Sequence, residues 1–277
     1  MTRTALAAVS FEIVLMLCGA YLIWRLVVSK RARETRVTRL AEWPLPAADF
    51  ACFICLAFAG AVALSAAAGL VLHRAHLSPD AEMVAGGGVM HLGILLGLAG
   101  VYLMFGARAG SFGGLPCVAP ALRSGFVTFL IAVPLVDGTS FAWGYFLTKM
   151  GLPDEQQDMM DIAQNTHSAA VKWSLIAVAT LLVPLTEEIV FRGGLFRYFR
   201  TRAPRWIAIL LTSALFGSLH VSWGEHMAGL PSLAPLTVLA AVFCVAYERT
   251  GSIGTVIVAH SLFNMNTFIL VAAGLGT

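Results

Sequence analysis

Charge is scarce in this sequence. Charged residues fill 12% of the 277 positions and hydrophobic ones 58%, whereas a soluble globular domain carries roughly 25% charged residues. A chain with so little polar surface needs the bilayer as its solvent, which excludes an ordinary soluble enzyme or binding module. Lysine is scarcest, 3 against 15 arginines, a bias that hints at a GC-rich bacterial genome. A net charge of only +3 gives no reason to expect a nucleic-acid partner. The five cysteines, Cys18, Cys52, Cys55, Cys117 and Cys244, are scattered. Cys52 and Cys55 form a CxxC without a second ligand pair, so they read as buried hydrophobes rather than a metal or redox site. There is no internal repeat, no low-complexity tract and no HExxH.

What the chain has is hydrophobic length. A spanning helix needs about 20 mostly apolar residues, and eight stretches qualify: 6–28, 50–72, 84–106, 124–147, 169–190, 206–223, 231–247 and 253–275. An open sheet cannot satisfy its backbone in lipid, so the predicted fold is all-α, a polytopic bundle of about eight transmembrane helices. The first run is too long for a signal-peptide core and ends in a basic stretch, so it reads as a retained helix. The Gly/Pro-rich segment 107–120 reads as a connection. It separates residues 1–120, three helices with a basic loop, from residues 121–277, which hold the unusual polar groups.

Two stretches are strongly basic, 29–43 and 192–205. With the N-terminus outside, eight spans put both on the cytoplasmic side, together with Arg25, Arg108, Arg123 and Arg249; Arg3, Arg74, Lys149 and Lys172 fall outside. That asymmetry follows the positive-inside rule. The expected location is therefore a multi-pass protein of the bacterial cytoplasmic membrane, with membrane lipid as a partner.

Some polar groups lie too deep for this pattern. The segment TEEIVFRGGLF, residues 186–196, follows thirteen uncharged residues. A charge at a helix centre costs roughly 2.5–3.5 kcal/mol on insertion scales, so Glu187, Glu188 and Arg192 need partners. Glu188 and Arg192 are four apart and share a face, acid before base. Glu187 lies about 100° around the helix and needs a partner elsewhere. Candidates are His220, at the end of LFGSLH, and His260 with Asn264, four apart on the last helix. Lipid satisfies none of these side chains, so the expectation is one cluster in a wet, protein-enclosed pocket. Glu12, His91 and Asp137 are also deep; each reads as structural, paired with a neighbour or lining a cavity. Trp143, Trp173, Trp206 and Trp223 fit an aromatic belt.

EExxxR (Glu187, Glu188, Arg192), FxxxH (Phe216, His220) and HxxxN (His260, Asn264), in this order on successive hydrophobic helices, resemble the signature of the CPBP intramembrane proteases. That group includes the CAAX prenyl endopeptidases of the Rce1 type and bacteriocin-processing or self-immunity proteins. The resemblance covers about residues 173–268. It implies an intramembrane endopeptidase in which Glu187 and His220 activate a water. Glu188 and Arg192 would support the site, and His260 and Asn264 would stabilise the oxyanion. It further implies a peptide or membrane-protein substrate, lipidated in one branch. Glu187, His220 and His260 could also supply a His₂Glu set for a divalent metal such as zinc. The alternatives are a non-catalytic scaffold or immunity protein of the same fold, and a proton-coupled transporter.

One feature of the eight-span arrangement conflicts with a single cluster. Helices entering near Lys172 and Trp206 from opposite faces place Glu187 and His220 at depths that differ by more than about 10 Å. A kink at Pro184, or a fifth helix continuing through Arg192, would reconcile them.

Overall fold

The computed structural model describes residues 3–30, 38–105, 118–152, 158–224 and 227–274. Cys117, Arg108, most of segment 107–120 and parts of the stretches 29–43 and 152–165 lie outside the described residues. The helices are α1 (Arg3–Ile23), α2 (Ala47–Leu72), α3 (Pro79–Phe105), α4 (Val118–Met150), α5 (Asp158–Asn165), α6 (Ala169–Arg202), α7 (Arg205–Ser218), α8 (Leu233–Thr250) and α9 (Ile253–Ala272). No strand occurs among the described residues. Seven helices are long and apolar enough to cross a membrane, and α7 is a shorter apolar helix. The chain is thus an integral, multi-pass all-α membrane protein. Many large apolar side chains on the bundle's outer face, such as Phe58, Leu70, Leu103 and Phe141, are exposed, as expected where lipid is the solvent.

The fifth and sixth spans differ from expectation. α6 does not stop near residue 190 but runs to Arg202, with π-helical turns at Val178–Leu182 and Ile189–Phe196. At 1.5 Å per residue it is about 51 Å long. Its basic end reads as a solvated loop in the sequence, yet folds because the protein satisfies each arginine. Arg192 pairs with Glu188. Arg197 donates to the backbone carbonyls of Ala41 and Glu42. Arg200 pairs with Glu248 at 2.8 Å, and Arg202 donates to the carbonyls of Trp43 and Leu45. The reversal falls at Ala203–Pro204, where proline favours the start of a new helix. Glu187 is fifteen residues before Arg202 and His220 fifteen after Arg205. Both therefore lie about 22 Å from the same turn, which removes the depth conflict. α7 ends at Ser218, about 21 Å from its start, so the predicted span 206–223 is a shorter helix that stops inside the protein.

The basic stretches meet at one end of the bundle. Glu248 is nearly buried and also binds Arg205, while its carbonyl accepts from the Arg39 amide. Arg249 donates to the Leu26 carbonyl at the end of α1. Ser124 of α4 meets Thr255 of α9 at 2.7 Å. The ends of α1, α2, α4 and α6–α9 gathered here are those an alternating up-and-down order requires.

α2 and α3 pack with their backbones in contact. A Cβ on Gly93 would collide with the Gly60 carbonyl, and one on Gly97 with the Leu56 carbonyl. This is the small-residue packing that holds helices together in lipid. Gly97→Leu is expected to lower stability by about 1–3 kcal/mol, read as an earlier detergent-solubilised thermal melt. An unchanged melt would mean the pair is not tightly packed. The CxxC thiols Cys52 and Cys55 also sit on α2, but they are exposed on its outer face rather than buried in protein.

Candidate active site

The middle of α6 carries Glu187 and Glu188 on two different faces. Glu188 is fully enclosed. Its Oε1 accepts from Arg192 Nη1 at 3.1 Å and from His260 Nδ1 at 2.8 Å, and both Glu188 and Arg192 are 0% exposed. The Arg192 guanidinium lies over Phe216 of α7 and Phe243 of α8, 4.6 Å and 5.3 Å from the ring centroids. A fully desolvated arginine thus has a carboxylate on one side and two aromatic faces on the others, and each ring contact is worth about 1–2 kcal/mol.

Glu187 faces the other way and is partly open, with its side chain 17% exposed. Its Oε1 is 3.9 Å from His220 Nε2 and its Oε2 is 4.0 Å from His260 Nε2. The far nitrogens of both rings are committed. His220 Nδ1 lies 2.7 Å from the Phe216 carbonyl. A carbonyl only accepts, so that nitrogen carries the hydrogen. His260 Nδ1 donates to Glu188. In their neutral forms both rings therefore turn an Nε2 lone pair towards the Glu187 carboxylate. Glu187 Oε2, Glu188 Oε2 and Arg192 Nη2 are buried with no hydrogen-bond partner in the protein. Buried polar groups are normally satisfied, so the unused acceptor on the partly open Glu187 marks a place for water or substrate.

The structure therefore brings Glu187, Glu188, Arg192, His220 and His260 together from α6, the end of α7 and α9. Asn264 lies one turn past His260 on the same face, but its Nδ2 donates to the Ala179 carbonyl at 2.7 Å. That carbonyl lies in the π-helical turn Val178–Leu182; such turns disturb the regular backbone ladder and concentrate at functional sites. One amide hydrogen of Asn264 remains uncommitted there. Among the described residues no group of three or more His, Cys, Asp and Glu side chains is placed to hold a metal ion. Glu187, His220 and His260 converge without forming such a set.

Three contacts escape sequence reading. Phe243 lies 5.6 Å from His260 as well as beneath Arg192, but one phenylalanine in an apolar helix carries no signal. Phe216, the first position of FxxxH, forms the floor between Arg192 and His220, its ring tilted 44° to the His220 ring with centroids 4.7 Å apart. His91 of α3 is buried and lies 2.6 Å from the Thr186 hydroxyl, beside Glu187. The Thr186 hydroxyl also reaches the carbonyls of Leu182 and Val183, 3.1 Å and 3.0 Å away. Phe216→Leu keeps the volume but loses the ring face, and is expected to cost about 2 kcal/mol, read as a lowered melting temperature. A variant as stable as the parent would show that the cation–π stack contributes nothing.

The part of the chain that holds this cluster is similar to known membrane peptidases. Residues 169–266 match the family model described as type II CAAX prenyl endopeptidase Rce1-like. That segment contains the whole cluster, and the match supports a place in the CPBP family. The chain is also 30% identical over 144 residues to "Putative membrane peptidase YdiL" of Bacillus subtilis (strain 168), an alignment covering 52% of each chain. The chain thus spans about half the length of the curated relative it matches. No solved structure matches it.

Proposed function

We propose that the chain is an intramembrane endopeptidase that hydrolyses a peptide bond with a water activated by Glu187 and His220. The observation that carries this reading is the placement of Glu187, 3.9 Å and 4.0 Å from two histidine Nε2 atoms. Both gaps are too long for direct hydrogen bonds, and a water about 2.8 Å from each side bridges them. Such a water gives its proton to Glu187 as its oxygen adds to the scissile carbonyl. Glu187 then passes that proton to the leaving nitrogen, and the C–N bond breaks. His260, protonated and anchored through Nδ1 to Glu188, donates from Nε2 to the developing oxyanion. The second amide hydrogen of Asn264 joins it. Glu188 Oε1 accepts from both Arg192 and His260, so one buried carboxylate anchors the two cationic groups.

The substrate in this reading is a peptide or membrane protein cut near or within the bilayer, close to its C-terminus, since the partly open face of the pocket lies between membrane helices. A lipidated cysteine near the cut is the form the family points to. Both basic stretches lie at one end, so the positive-inside rule puts that end in the cytoplasm. The test is the purified chain in liposomes, given quenched peptides with and without a membrane anchor and a lipidated cysteine, in ¹⁸O-water. New C-termini carrying ¹⁸O support hydrolysis. Intact peptides recovered on the far side of the membrane, with no new termini, would replace it with a carrier.

A further inference from the structure

A second set of polar side chains, half-buried at Glu12 and Asp137, lies where α1, α4 and α9 meet, on the other side of α9 from the candidate active site. Glu12 is at the middle of α1 and Asp137 is nineteen residues into α4. These helices pack together, and the two carboxyl groups are within side-chain hydrogen-bonding range of each other. From α9, Asn266 Nδ2 donates to both Glu12 oxygens, at 3.2 Å and 3.4 Å. Asn266 lies two residues past Asn264 and about 200° around the helix, so α9 presents one amide to each cluster. Among the described residues no lysine, arginine or histidine pairs with either acid.

This set is short of positive charge. Two carboxyl groups in hydrogen-bond range cannot both be ionised in an apolar setting, and one proton between them is the least they require. Asn266 adds an independent observation. It is only 7% exposed, and its Oδ1, on the same amide group that binds Glu12, is buried without any partner. An orphaned acceptor beside two carboxyl groups is a surplus of oxygen lone pairs, the donor set that a hard monovalent cation takes up. A buried ionisable group in a membrane helix is retained at a cost, which is a reason to look for what it binds.

We propose that Glu12, Asp137 and Asn266 form an intramembrane site for one monovalent cation, either a proton shared between the carboxyl groups or a sodium ion in its place. The proton form is Asp137–OH donating to the Glu12 carboxylate, which also accepts from Asn266. In the sodium form Asp137 gives up its proton, and the ion takes oxygens from both carboxylates and from Asn266 Oδ1.

The test uses the full chain in detergent at neutral pH, in choline buffer, with dicyclohexylcarbodiimide. This reagent modifies protonated carboxyl groups in apolar surroundings, and peptide mass spectrometry locates the product. The expected result is modification at Glu12 or Asp137. If sodium chloride, at a hundred times its half-protecting concentration, suppresses it about a hundredfold and potassium or choline does not, sodium is the occupant. If sodium has no effect, the proton is. Modification of neither residue overturns the site. An independent check is Glu12→Gln and Asp137→Asn, each of which supplies permanently what one proton supplies. Each is expected to keep the parent's melting temperature and to lose any sodium-dependent rise in it. A neutral variant that unfolds like Glu12→Ala or Asp137→Ala would show that both acids are needed as charges, which also overturns the proposal.

Discussion

In Glu187→Gln, peptide hydrolysis is expected to fall about 10²–10⁴-fold while the melting temperature stays within the scatter of repeat measurements. The two halves of this expectation rest on one piece of geometry. Glu187 makes no short hydrogen bond inside the protein: its nearest histidine nitrogens are 3.9 Å and 4.0 Å away and its Oε2 has no partner. An amide of the same shape therefore leaves no new buried group unpaired, and the fold has little to lose. The water, in contrast, loses its base. His220→Gln is expected to act in the same way, and the double variant to be little worse than either single one, because groups that act as a unit are not additive. A Glu187→Gln enzyme keeping more than about a tenth of the parent's kcat/KM would be too active for a missing general base. The water would then need another base. A variant that is inactive because it no longer folds would show that Glu187 is a structural residue.

The relative placing of residues within each motif was legible in the sequence because helical spacing is rigid. A four-residue interval puts Glu188 under Arg192, a one-residue offset turns Glu187 away, and the same interval puts His260 and Asn264 on one face. The helix count was legible from hydrophobic length. The course of α6 beyond residue 190 was not. The predicted span stops at residue 190, and only tertiary partners, Glu248 and the carbonyls of residues 41–45, keep Arg197, Arg200 and Arg202 in a helix. The bond from Asn264 to Ala179 depends on a local change of helical winding that no residue type announces. His91 looked like an isolated polar residue because its partner Thr186 is 95 positions away. The outward-facing Cys52 and Cys55 were misread for a related reason. In lipid a hydrophobic face need not be a buried one, so composition alone does not say which side of α2 meets protein.

Glu188→Ala is expected to be the most damaging single substitution in the site, with a loss of about 3–5 kcal/mol, and to abolish activity through misfolding rather than chemistry. Glu188 and Arg192 are both fully enclosed, and removing the acid leaves a guanidinium with two aromatic rings but no counter-charge. It also releases His260 Nδ1, so the ring loses the contact that aims its Nε2 at Glu187. The contrast with Glu187→Gln separates the two adjacent glutamates by role: one variant inactive and folded, the other unstable. Removing both charges distinguishes pairing from packing. Glu188→Gln with Arg192→Met leaves no unpaired charge and still offers His260 a carbonyl acceptor. It is expected to recover most of the lost stability, because replacing a buried ion pair by neutral groups of similar volume is often neutral. Activity should remain far below the parent's, since a neutral amide no longer favours a protonated His260. Detergent melts and hydrolysis rates on the same preparations decide the matter. If Glu188→Ala melts with the parent, water must reach Arg192, and the sealed ion pair beneath the reactive face is not there.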